Sequence, residues 1–500
     1  MSSFIIQPYR RKYLKEYFHR MSQDNLTMLW DDNVASILRE QGFSIEQAPR
    51  SVYKVEKLYE ALNKYAPTSL PYINLDDEHI KEGIKFAYAC FARNGRDKLS
   101  ALDFTPEVIY SITSNLKGSA GLTAWGQTKA ESFMRAYERG GQTLLREKHP
   151  EPCIAFKRTQ FNDKTRLVWG YPYSMTAIEG LVARPLIKSF LKAHTPMSFG
   201  ISSLKLGTKL RVASYSNRWA YATDFSSFDS SISAQLIKLA FNILKTWFDL
   251  DESVSVGNDE VSVSRVFRLI ECYFINTAIV MPDGNLYKGK RHGVPSGSYF
   301  TQMVDSVVNA IVIGAVSSKF RMHVCKDTFN VLGDDVVFFS NADIGMDKMA
   351  AYVKRFFGLT INVAKSGKYK SGEEIVYLGR HWLNGIPDLP QNEILKRMAQ
   401  PETFRRYSQN PDKRAREVRL LFQSYASVYE SAYHIYMRSF GTNKARYNGM
   451  WVELFDSKQI HSSDGFVSNP DYLSGLERYL QKYVYSTKRG FTPVGLRLLA

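Results

Sequence analysis

The amino-acid sequence predicts an α+β fold in which helices flank an antiparallel sheet. An aromatic, apolar run at 218–225 leads through a short polar loop into 232–247, whose apolar residues recur at helical spacing. Two further segments, 279–287 and 329–339, have apolar arms around a polar turn, which is typical of hairpins. After residue 385 the pattern is mostly helical and strongly basic. Hairpins combined with long amphipathic helices favour an α+β architecture.

The chain is long and apolar enough to build packed cores. It has 500 residues, of which 44% are hydrophobic and 23% charged, with 30 Tyr and 30 Phe. This composition excludes the disordered, collagen-like and fibrous classes. The sequence shows neither an internal repeat nor a low-complexity tract, and Pro and Gly are thinly spread. We therefore expect about two to four interleaved folding units, or one large multi-lobed enzyme.

Positive charge is in strong excess. The 66 Lys and Arg residues against 49 Asp and Glu give a formal net charge of +17 and a pI of about 9.4. Such a field attracts phosphate backbones or anionic lipid, so a polyanionic partner is the first expectation. A basic, aromatic segment at 9–15 and the basic stretch after residue 385 fit either RNA-backbone binding or a solvated surface. The basic residues of that stretch are Lys396, Arg397, Arg405, Arg406, Lys413, Arg414, Arg416 and Arg419.

The cysteines and the longest apolar run indicate in which cellular compartment we expect the protein. The four cysteines lie far apart without a C-x-x-C pattern, which predicts neither a disulfide framework nor a cysteine zinc site and favours a reducing compartment. The first residues lack the apolar core of a signal peptide. The longest apolar run, 307–316, is interrupted by Asn309 and has about half the length that spans a bilayer. We expect neither a signal peptide nor a membrane anchor.

Carboxylates stand at the ends of two apolar strands. Asp224 follows the first strand, and Asp334 and Asp335 occupy the tip of the later hairpin. Two like charges about 4 Å apart repel by roughly 4 kcal/mol at an effective dielectric constant near 20, so a cluster needs a cation or a shared proton. Carboxylate oxygens without nearby His or Cys select Mg²⁺ or Mn²⁺. If the strands are neighbours, these residues predict a two-metal site for phosphoryl chemistry; otherwise each Asp caps a helix or tightens a turn.

The order of four motifs carries a family resemblance. In chain order they are Asp224-x4-Asp229, Ser296-Gly297-x3-Thr301, Gly333-Asp334-Asp335 and Lys365. This series resembles motifs A, B, C and D of viral RNA-dependent RNA polymerases. The strings GVPSGSYFTQMVDSVVN (293–309) and VLGDD (331–335) are similar to those of the partitiviruses, with the picobirnaviruses as near neighbours. The family implies a right-hand polymerase with fingers, palm and thumb, in which an antiparallel palm sheet holds the carboxylates.

Further motifs extend the resemblance to about residues 113–380. Motif F is represented by Lys157-Arg158 and Lys164-Thr165-Arg166, motif G by Gly118 to Gly121, and motif E by Tyr377 to Arg380. The lobes implied are an arm bridging the lobes (1–60), fingers (61–216), palm with motif A (217–248), a return to the fingers (249–292), palm with motifs B to E (293–385) and thumb (386–500).

The resemblance implies catalytic roles. Asp224 and Asp334 would bind both metal ions, Mg²⁺ with Mn²⁺ as the alternative, and Asp335 would support them. Lys365 would protonate the leaving pyrophosphate, although an exposed loop lysine is an equally open interpretation.

It also implies roles in substrate binding. Arg166 with Lys157 or Lys164 would grip the incoming triphosphate, and Ser119, Ala120 and Gly121 would lie on the template path. Asp229 would hold the motif B side chains that sense the ribose 2′-OH, or else cap the helix that follows. Ser296 and Gly297 would let the backbone approach template and ribose, or merely begin a helix, and Thr301 would aid the hydroxyl contact or face the helix interior.

One position departs from the commonest polymerase pattern. Many positive-strand polymerases have Asn four residues after the motif B threonine, where this chain has Asp305, with Asn309 one turn later. Because a second carboxylate facing Asp229 would be repulsive, we expect Asn309 to be its neutral partner and Asp305 to face elsewhere.

Template-directed RNA synthesis from NTPs is therefore the predicted activity. The resemblance implies transcription and replication of a double-stranded RNA genome in the virion interior and host cytoplasm, with capsid protein as a partner and no membrane. A reverse transcriptase is the alternative enzyme. It usually carries an aromatic residue two positions before the paired aspartates, where this chain has Leu332. A basic RNA-packaging protein is the rival outside enzymes.

Overall fold

A computed structural model describes residues 3–27, 29–46, 51–69, 72–160, 164–401, 405–426 and 428–440. The C-terminal part of the predicted thumb, 441–500, lies outside the described residues.

Helices and strands alternate irregularly along the described chain. The helices are α1 (Lys15–Met21), α2 (Asp32–Glu40), α3 (Val55–Asn63), α4 (Glu78–Phe91), α5 (Pro106–Ile112), α6 (Phe133–Leu144), α7 (Tyr173–Phe190), α8 (Ser203–Ser216), α9 (Phe228–Ser231), α10 (Ala234–Lys245), α11 (Val263–Asn276), α12 (Thr301–Phe320), α13 (Met346–Phe357), α14 (Gln391–Ala399), α15 (Pro411–Ala426) and α16 (Glu430–Phe440). The strands are β1 (Ile5–Pro8), β2 (Asn25–Thr27), β3 (Ser51–Tyr53), β4 (Cys153–Gln160), β5 (Lys164–Gly170), β6 (Trp219–Thr223), β7 (Ser253–Val256), β8 (Asp259–Ser262), β9 (Ile279–Val280), β10 (Asn285–Lys288), β11 (Phe329–Leu332), β12 (Asp335–Ser340), β13 (Gly367–Lys370), β14 (Ile375–Tyr377), β15 (Arg380–Leu383) and β16 (Ile386–Asp388).

The sheet that carries the predicted acidic residues is antiparallel. Its strand order is β11-β12-β6-β13, so the two strands with the carboxylates are direct neighbours. Val336 pairs with Thr223, which brings the carboxyl end of β6 beside the turn of the β11–β12 hairpin. The predicted helix and both predicted hairpins form.

Both faces of this sheet are covered, because successive side chains of a strand point to opposite faces. Val336 and Phe338 of β12 enter the main core, which also contains the buried side chains of α12. Val337 and Phe339 enter a second core with Leu210 of α8. A run of apolar residues in β12 therefore belongs to two separate cores, which holds the strand in one register.

A second sheet joins distant parts of the chain. Its strand order is β1-β10-β9-β4-β5, and β1 pairs antiparallel with β10 from Ile5↔Lys288 to Pro8↔Asn285. The N-terminal residues thus extend the sheet that bears the predicted motif F strands β4 and β5. The packing of α3 against β5 brings a further N-terminal element to the same region.

Helix α12 is the buried centre of the molecule. It crosses α4 at two glycines, where a Cβ on Gly83 would come within 2.2 Å of the Ile311 carbonyl oxygen and one on Gly314 within 2.9 Å of the Gly83 Cα. Among the described helices α12 alone is long and apolar enough to span a membrane, but 83% of its apolar window is buried inside the protein. Its apolar composition is explained by this core position.

The N-terminal helix α2 is tied to the C-terminal helices. The side chain of Asp31 caps α2 by accepting a hydrogen bond from the Val34 N–H at 3.2 Å. The same carboxylate forms an ion pair with Arg405 at 2.9 Å and accepts a hydrogen bond from the Tyr407 hydroxyl at 2.5 Å. Because the Asp31 side chain is only 3% exposed, these partners are needed to compensate its buried charge.

Candidate active site

An open cavity of about 590 Å³ brings together five of the residues that the sequence singles out. They come from different elements: β5, the end of β6, α9, the turn of the β11–β12 hairpin and the loop before β13. The five residues are Arg166, Asp224, Asp229, Asp334 and Lys365. Cations and carboxylates thus face one solvent-filled space, which suits a substrate that carries phosphates.

The backbone around Asp224 is fixed to the loop that carries Lys365. The Asp224 N–H donates to the Ser366 hydroxyl at 3.0 Å, and the Asn362 N–H donates to the Asp224 carbonyl oxygen at 2.7 Å. These bonds hold the predicted general acid on the same wall of the cavity as the first carboxylate.

Side chains of α12 are hydrogen-bonded to the hairpin turn that contains Asp334. Gly333 adopts the left-handed region with φ +67°, where glycine avoids the strain of a Cβ. The Gly333 N–H donates to the Ser306 hydroxyl at 3.0 Å, and the Asn309 side-chain amide donates to the Gly333 carbonyl oxygen at 2.7 Å. Both polar groups of Gly333 are thereby satisfied by the buried helix.

The clustered carboxylates hold excess negative charge. Burial, reinforced by the charge of Asp224, raises the pKa of Asp334, while Arg166 opposes the shift. Burial together with Asp334 and Asp224 raises the pKa of Asp335 to about 7. A cation between buried, mutually repelling carboxylates stabilises their charged forms. Their hard oxygen donors suit Mg²⁺ or Mn²⁺. Within the described ranges no group of three His, Cys, Asp or Glu side chains forms a ready-made metal site. Four carboxylates line the cavity, Glu60, Asp224, Asp229 and Asp334, and two of them, Asp224 and Asp334, stand at the ends of the neighbouring strands.

The motif F residues that were expected to grip the triphosphate are placed differently. Arg166 lines the cavity, whereas the Lys157 ammonium lies 3.9 Å from the centre of the Tyr53 ring and does not line it. Desolvation lowers the pKa of Lys157. Lys164 belongs to β5, and its side chain lies outside the described part of the chain. Arg166 is therefore the motif F cation that lines the cavity together with the carboxylates.

The sequence analysis did not identify two lysines that line the cavity. Lys57 of α3 and Lys64 just after it both line the cavity. Lys64 donates to the Ser227 hydroxyl at 3.0 Å, and Ser227 has a left-handed backbone with φ +54°. A helical pattern was visible at this place in the sequence, but lysines on an amphipathic helix are common on surfaces and gave no signal of a site.

The loop 293–300 is pinned to the end of β5. A Cβ on Gly297 would lie 2.0 Å from the Trp169 carbonyl oxygen, and the Ser296 hydroxyl accepts a hydrogen bond from the Trp169 N–H at 3.2 Å. The Thr301 hydroxyl donates to the Pro295 carbonyl oxygen at 2.8 Å. The close approach that Gly297 permits is thus to the protein's own strand, and the Thr301 hydroxyl is turned into its own loop.

Glu179 of α7 is a buried anchor of this loop that the sequence analysis missed. Its carboxylate accepts hydrogen bonds from the Ser298 hydroxyl and the Tyr299 N–H, both at 2.8 Å, at the N-terminus of α12. Hydrogen-bond acceptors are favourable there because the first N–H groups of a helix lack partners within the helix. A charged residue within a largely apolar helix was the one signal that the sequence offered for Glu179. The structure shows that this residue is fully buried.

We expect Glu179→Gln to change how stability depends on pH. Burial raises the pKa of Glu179 to about 8 from its ordinary 4.5, although its hydrogen bonds partly oppose the shift. The folded state therefore retains a proton that the unfolded state releases, so this group loses stabilising effect as pH rises from about 4.5 to about 8. In urea unfolding at several pH values, the stability of wild type relative to Glu179→Gln should fall across this window. Parallel pH profiles would contradict the assignment.

The structure corrects the expected orientation of Asp305 and Asn309. Asn309 is fully buried and donates to Gly333, so it supports the hairpin turn and does not line the cavity. Asp305 is 2% exposed, and after burial its largest influence is the charge of Asp229, which raises its pKa well above the ordinary value. Asp305, expected to face elsewhere, therefore lies within electrostatic range of Asp229 and Asp334. Its raised pKa weakens the expected repulsion, because a protonated carboxyl carries no charge. The Asp305 Oδ1 is buried without a hydrogen-bond partner among the described residues.

Asp229 itself lies in α9, and the following helix is capped by another residue. The Ser233 hydroxyl accepts from the Leu236 N–H at 3.3 Å, so the alternative that Asp229 caps α10 is wrong. Burial, followed by the charge of Asp334, raises the pKa of Asp229 to about 6.

The predicted template residues form a turn packed on the start of α7. Ser119 is exposed, whereas Ala120 and Gly121 are buried. The Ala120 carbonyl oxygen accepts from the Tyr173 N–H at 3.0 Å, and Gly121 has φ +63° with the Tyr171 carbonyl oxygen 2.7 Å from where a Cβ would lie. Of these three residues, Ser119 is the one whose side chain can reach a ligand.

Sequence comparisons relate this chain to viral polymerases. The sequence model of the family described as "Viral RNA-dependent RNA polymerase" matches residues 161–434. The chain is 31% identical over 225 residues to the RNA-directed RNA polymerase of Cryptosporidium parvum virus 1, covering 43% of this chain and 40% of that protein. It is 26% identical over 261 residues to that of Atkinsonella hypoxylon virus, covering 47% and 39%. The matches therefore span about two fifths of the length of these curated relatives.

Comparison with solved structures supports the same fold. The crystal structure of the RNA-dependent RNA polymerase of a human picobirnavirus superposes with a TM-score of 0.67 at 14% identity, covering 96% of this chain and 97% of that one. Its insertion-loop deletion mutant gives a TM-score of 0.66 at 15% identity, covering 94% and 97%. The predicted α+β polymerase fold and the resemblance to partitivirus and picobirnavirus polymerases are confirmed.

Proposed function

The chain belongs to the viral RNA-dependent RNA polymerase family, and from this premise we propose that it transfers nucleoside monophosphates from NTPs to an RNA 3′ end under the direction of an RNA template. The observation that carries the proposal is the cavity in which Asp224 and Asp334 face Arg166 and Lys365. Phosphoryl transfer depends on positioning and on neutralising charge, and these residues supply both.

Each side of the cavity has a proposed task. Asp224 and Asp334, with Asp335 beside them, would hold Mg²⁺ or Mn²⁺, which supplies charge neutralisation at the reacting phosphate when bound, as in two-metal nucleotidyl transfer. Arg166 binds the triphosphate and orients it, since a guanidinium can contact two phosphate oxygens at once. Lys365 holds the proton that the leaving pyrophosphate takes up.

Labelled-NTP incorporation on a single-stranded RNA template tests the proposal. The wild-type protein should incorporate label with Mg²⁺ present, and Asp334→Asn/Asp335→Asn should not. Equal incorporation by the two proteins would contradict the proposed site. Binding of RNA without incorporation by the wild type would favour a packaging protein, and preference for dNTPs would favour a reverse transcriptase.

We expect Lys365→Leu to slow turnover by about 10²–10⁴-fold while KM for NTP changes little, because proton transfer occurs in the transition state. Lys365 is exposed at the cavity wall, so the substitution leaves the core intact. Single-nucleotide incorporation kinetics would measure both constants. The matched control is Lys348→Leu on the exposed face of α13, which should retain wild-type turnover. A change confined to KM would assign Lys365 to binding.

Sugar selection should depend on Asp229 and Asp305. We expect Asp229→Ala and Asp305→Ala to narrow the NTP-to-dNTP ratio of kcat/KM by about 10–100-fold, the worth of a hydrogen bond to a charged group. Asn309→Ala should slow the use of both sugars alike, because Asn309 supports the Gly333 turn beside Asp334. A larger loss of preference in Asn309→Ala than in Asp305→Ala would overturn this assignment.

We propose that this activity serves the transcription and replication of a double-stranded RNA genome. The relatives that support this come from Cryptosporidium parvum virus 1, Atkinsonella hypoxylon virus and White clover cryptic virus 1. The partners would be an RNA template, the product duplex and viral capsid protein, in the virion interior and the host cytoplasm. Copurification of active chain with assembled particles would test the capsid partner, and activity found only outside particles would contradict it.

A further inference from the structure

A second cavity, of about 630 Å³, lies between α10 and α11. It shares no lining residue with the active-site cavity. We call it the α10–α11 cleft; its lining residues used below are Lys238 and Lys245 of α10, Arg268, Glu271 and Cys272 of α11, and Arg291. Its volume is that of a small-molecule site and suffices for a nucleotide unit.

Unpaired cations converge on this cleft. Lys238, Arg268 and Arg291 are exposed, and none has an ion-pair partner among the residues that the structure describes. The carboxylate that lines the cleft, Glu271, is already paired with Lys245 at 2.5 Å. The three remaining cations line one cleft without a carboxylate partner among the described residues, so their combined charge would attract an anion into it.

The cleft also offers apolar contacts. Leu250 and Ile275 belong to its wall, and Ile275 is anchored in the main core. A ligand with phosphates and an apolar face fits such a lining better than a small inorganic ion does, because apolar walls contribute only when they cover apolar surface.

The α10–α11 cleft and the active-site cavity are lined by nearby residues of one chain segment. Ser230 lines the active-site cavity, and Ala234, four residues later, lines the cleft. This segment is bonded to the loop that follows Arg291: the Gly293 N–H donates to the Ile232 carbonyl oxygen, and the Val294 N–H donates to the Asp229 carbonyl oxygen, both at 2.7 Å. The walls of the cleft therefore continue into the segment that carries Asp229 and into the loop 293–300.

We propose that the α10–α11 cleft binds nucleotide phosphates, supplied either by an RNA strand or by a free NTP. The choice of nucleotides as the ligand rests on the proposed function, whereas the site itself rests on the three unpaired cations. Lys238, Arg268 and Arg291 contact the phosphates, and the apolar wall covers the base or ribose. An acidic protein segment would meet the same cations but is disfavoured because the lining is a cleft of nucleotide size.

Cysteine protection tests the location without altering the protein. Cys272 lines the cleft and is exposed, and Cys325 is the other exposed cysteine of the chain. With a single-stranded RNA 12-mer or ATP at about ten times its Kd, alkylation of Cys272 by iodoacetamide should slow by about tenfold, while that of Cys325 stays unchanged. Equal protection of the two cysteines, or protection of neither by either probe, would overturn the proposal. Protection by one probe alone identifies the source of the phosphates.

Neutralising variants test the charges. Lys238→Gln/Arg268→Gln/Arg291→Gln should lower the magnitude of the slope of log K against log salt for RNA by about 2, since each contact to single strands contributes about 0.7. Lys319→Gln/Lys348→Gln/Arg355→Gln, which removes three exposed cations from α12 and α13, is the matched control and should leave the slope unchanged.

The same variants separate the two sources. If free NTP is the ligand, the first triple variant should instead weaken ATP binding while RNA binding matches the control. Identical behaviour of the two triple variants toward both probes would contradict the site. These assays use no NTP incorporation, so a failure of the proposed catalytic function would be seen separately.

Discussion

Asp334→Ala is expected to lower NTP incorporation by at least about 10³-fold while RNA binding survives, because charge neutralisation at the reacting phosphate contributes several kcal/mol and each 1.36 kcal/mol is a factor of ten. Asp224→Ala should behave in the same way, since both carboxylates face the same cavity. RNA affinity depends on the cationic surfaces, which these substitutions leave intact. Single-turnover incorporation and filter binding on the same RNA measure the two effects.

The matched control is Asp347→Ala, which removes an equal charge from the exposed first turn of α13. It should retain incorporation within about twofold, because exposed substitutions usually change stability by less than about 0.5 kcal/mol. Retained turnover in either cavity variant would place the metal site elsewhere. Loss of RNA binding together with activity would indicate misfolding or a direct role in binding.

Gly297→Ala is expected to reduce kcat/KM by about 10²-fold, the effect of misplacing catalytic groups by about 1 Å. The added Cβ would lie 2.0 Å from the Trp169 carbonyl oxygen, so either the loop 293–300 or the end of β5 must move. Movement of this loop displaces the Val294 N–H from Asp229, and movement of β5 displaces Arg166. Incorporation kinetics, with circular dichroism to verify folding, would measure the effect.

Gly345→Ala is the control for Gly297→Ala. Gly345 precedes α13, has no atom within 4 Å of where its Cβ would lie, and is not among the residues with positive φ. It should keep wild-type kinetics. If Gly297→Ala is equally active, the contact between the loop and β5 does not position the active site.

The carboxylates of the cavity could be predicted because their signal is local. An apolar run ends at Asp224, and two apolar runs flank the turn that contains Gly333 and Asp334, so both positions are visible in the sequence. The two carboxylates come together because the strand before Asp224, β6, pairs directly with β12 of the hairpin. Lys365 lies in the same cavity because its loop is hydrogen-bonded to the backbone of Asp224.

Residues positioned by tertiary contacts could not be predicted. Asp305 and Asn309 are four residues apart and share one face of α12, so periodicity does not tell which of them lies opposite Asp229 and which opposite Gly333. Glu179 and Lys64 reach their partners from elements that are 119 and 163 residues away in the chain. Strand β1 is exposed along its length, which leaves it without the apolar alternation that marks a strand.

The central claim is that this cavity performs template-directed synthesis. Single-nucleotide extension on two RNA templates that differ only at the templating base tests it most directly, with the four NTPs supplied one at a time and Mg²⁺ present. The account predicts that the wild-type chain incorporates the complementary nucleotide in each case and that changing the base changes the nucleotide. Incorporation of the same nucleotide on both templates, or equal incorporation when the template is omitted, would contradict it.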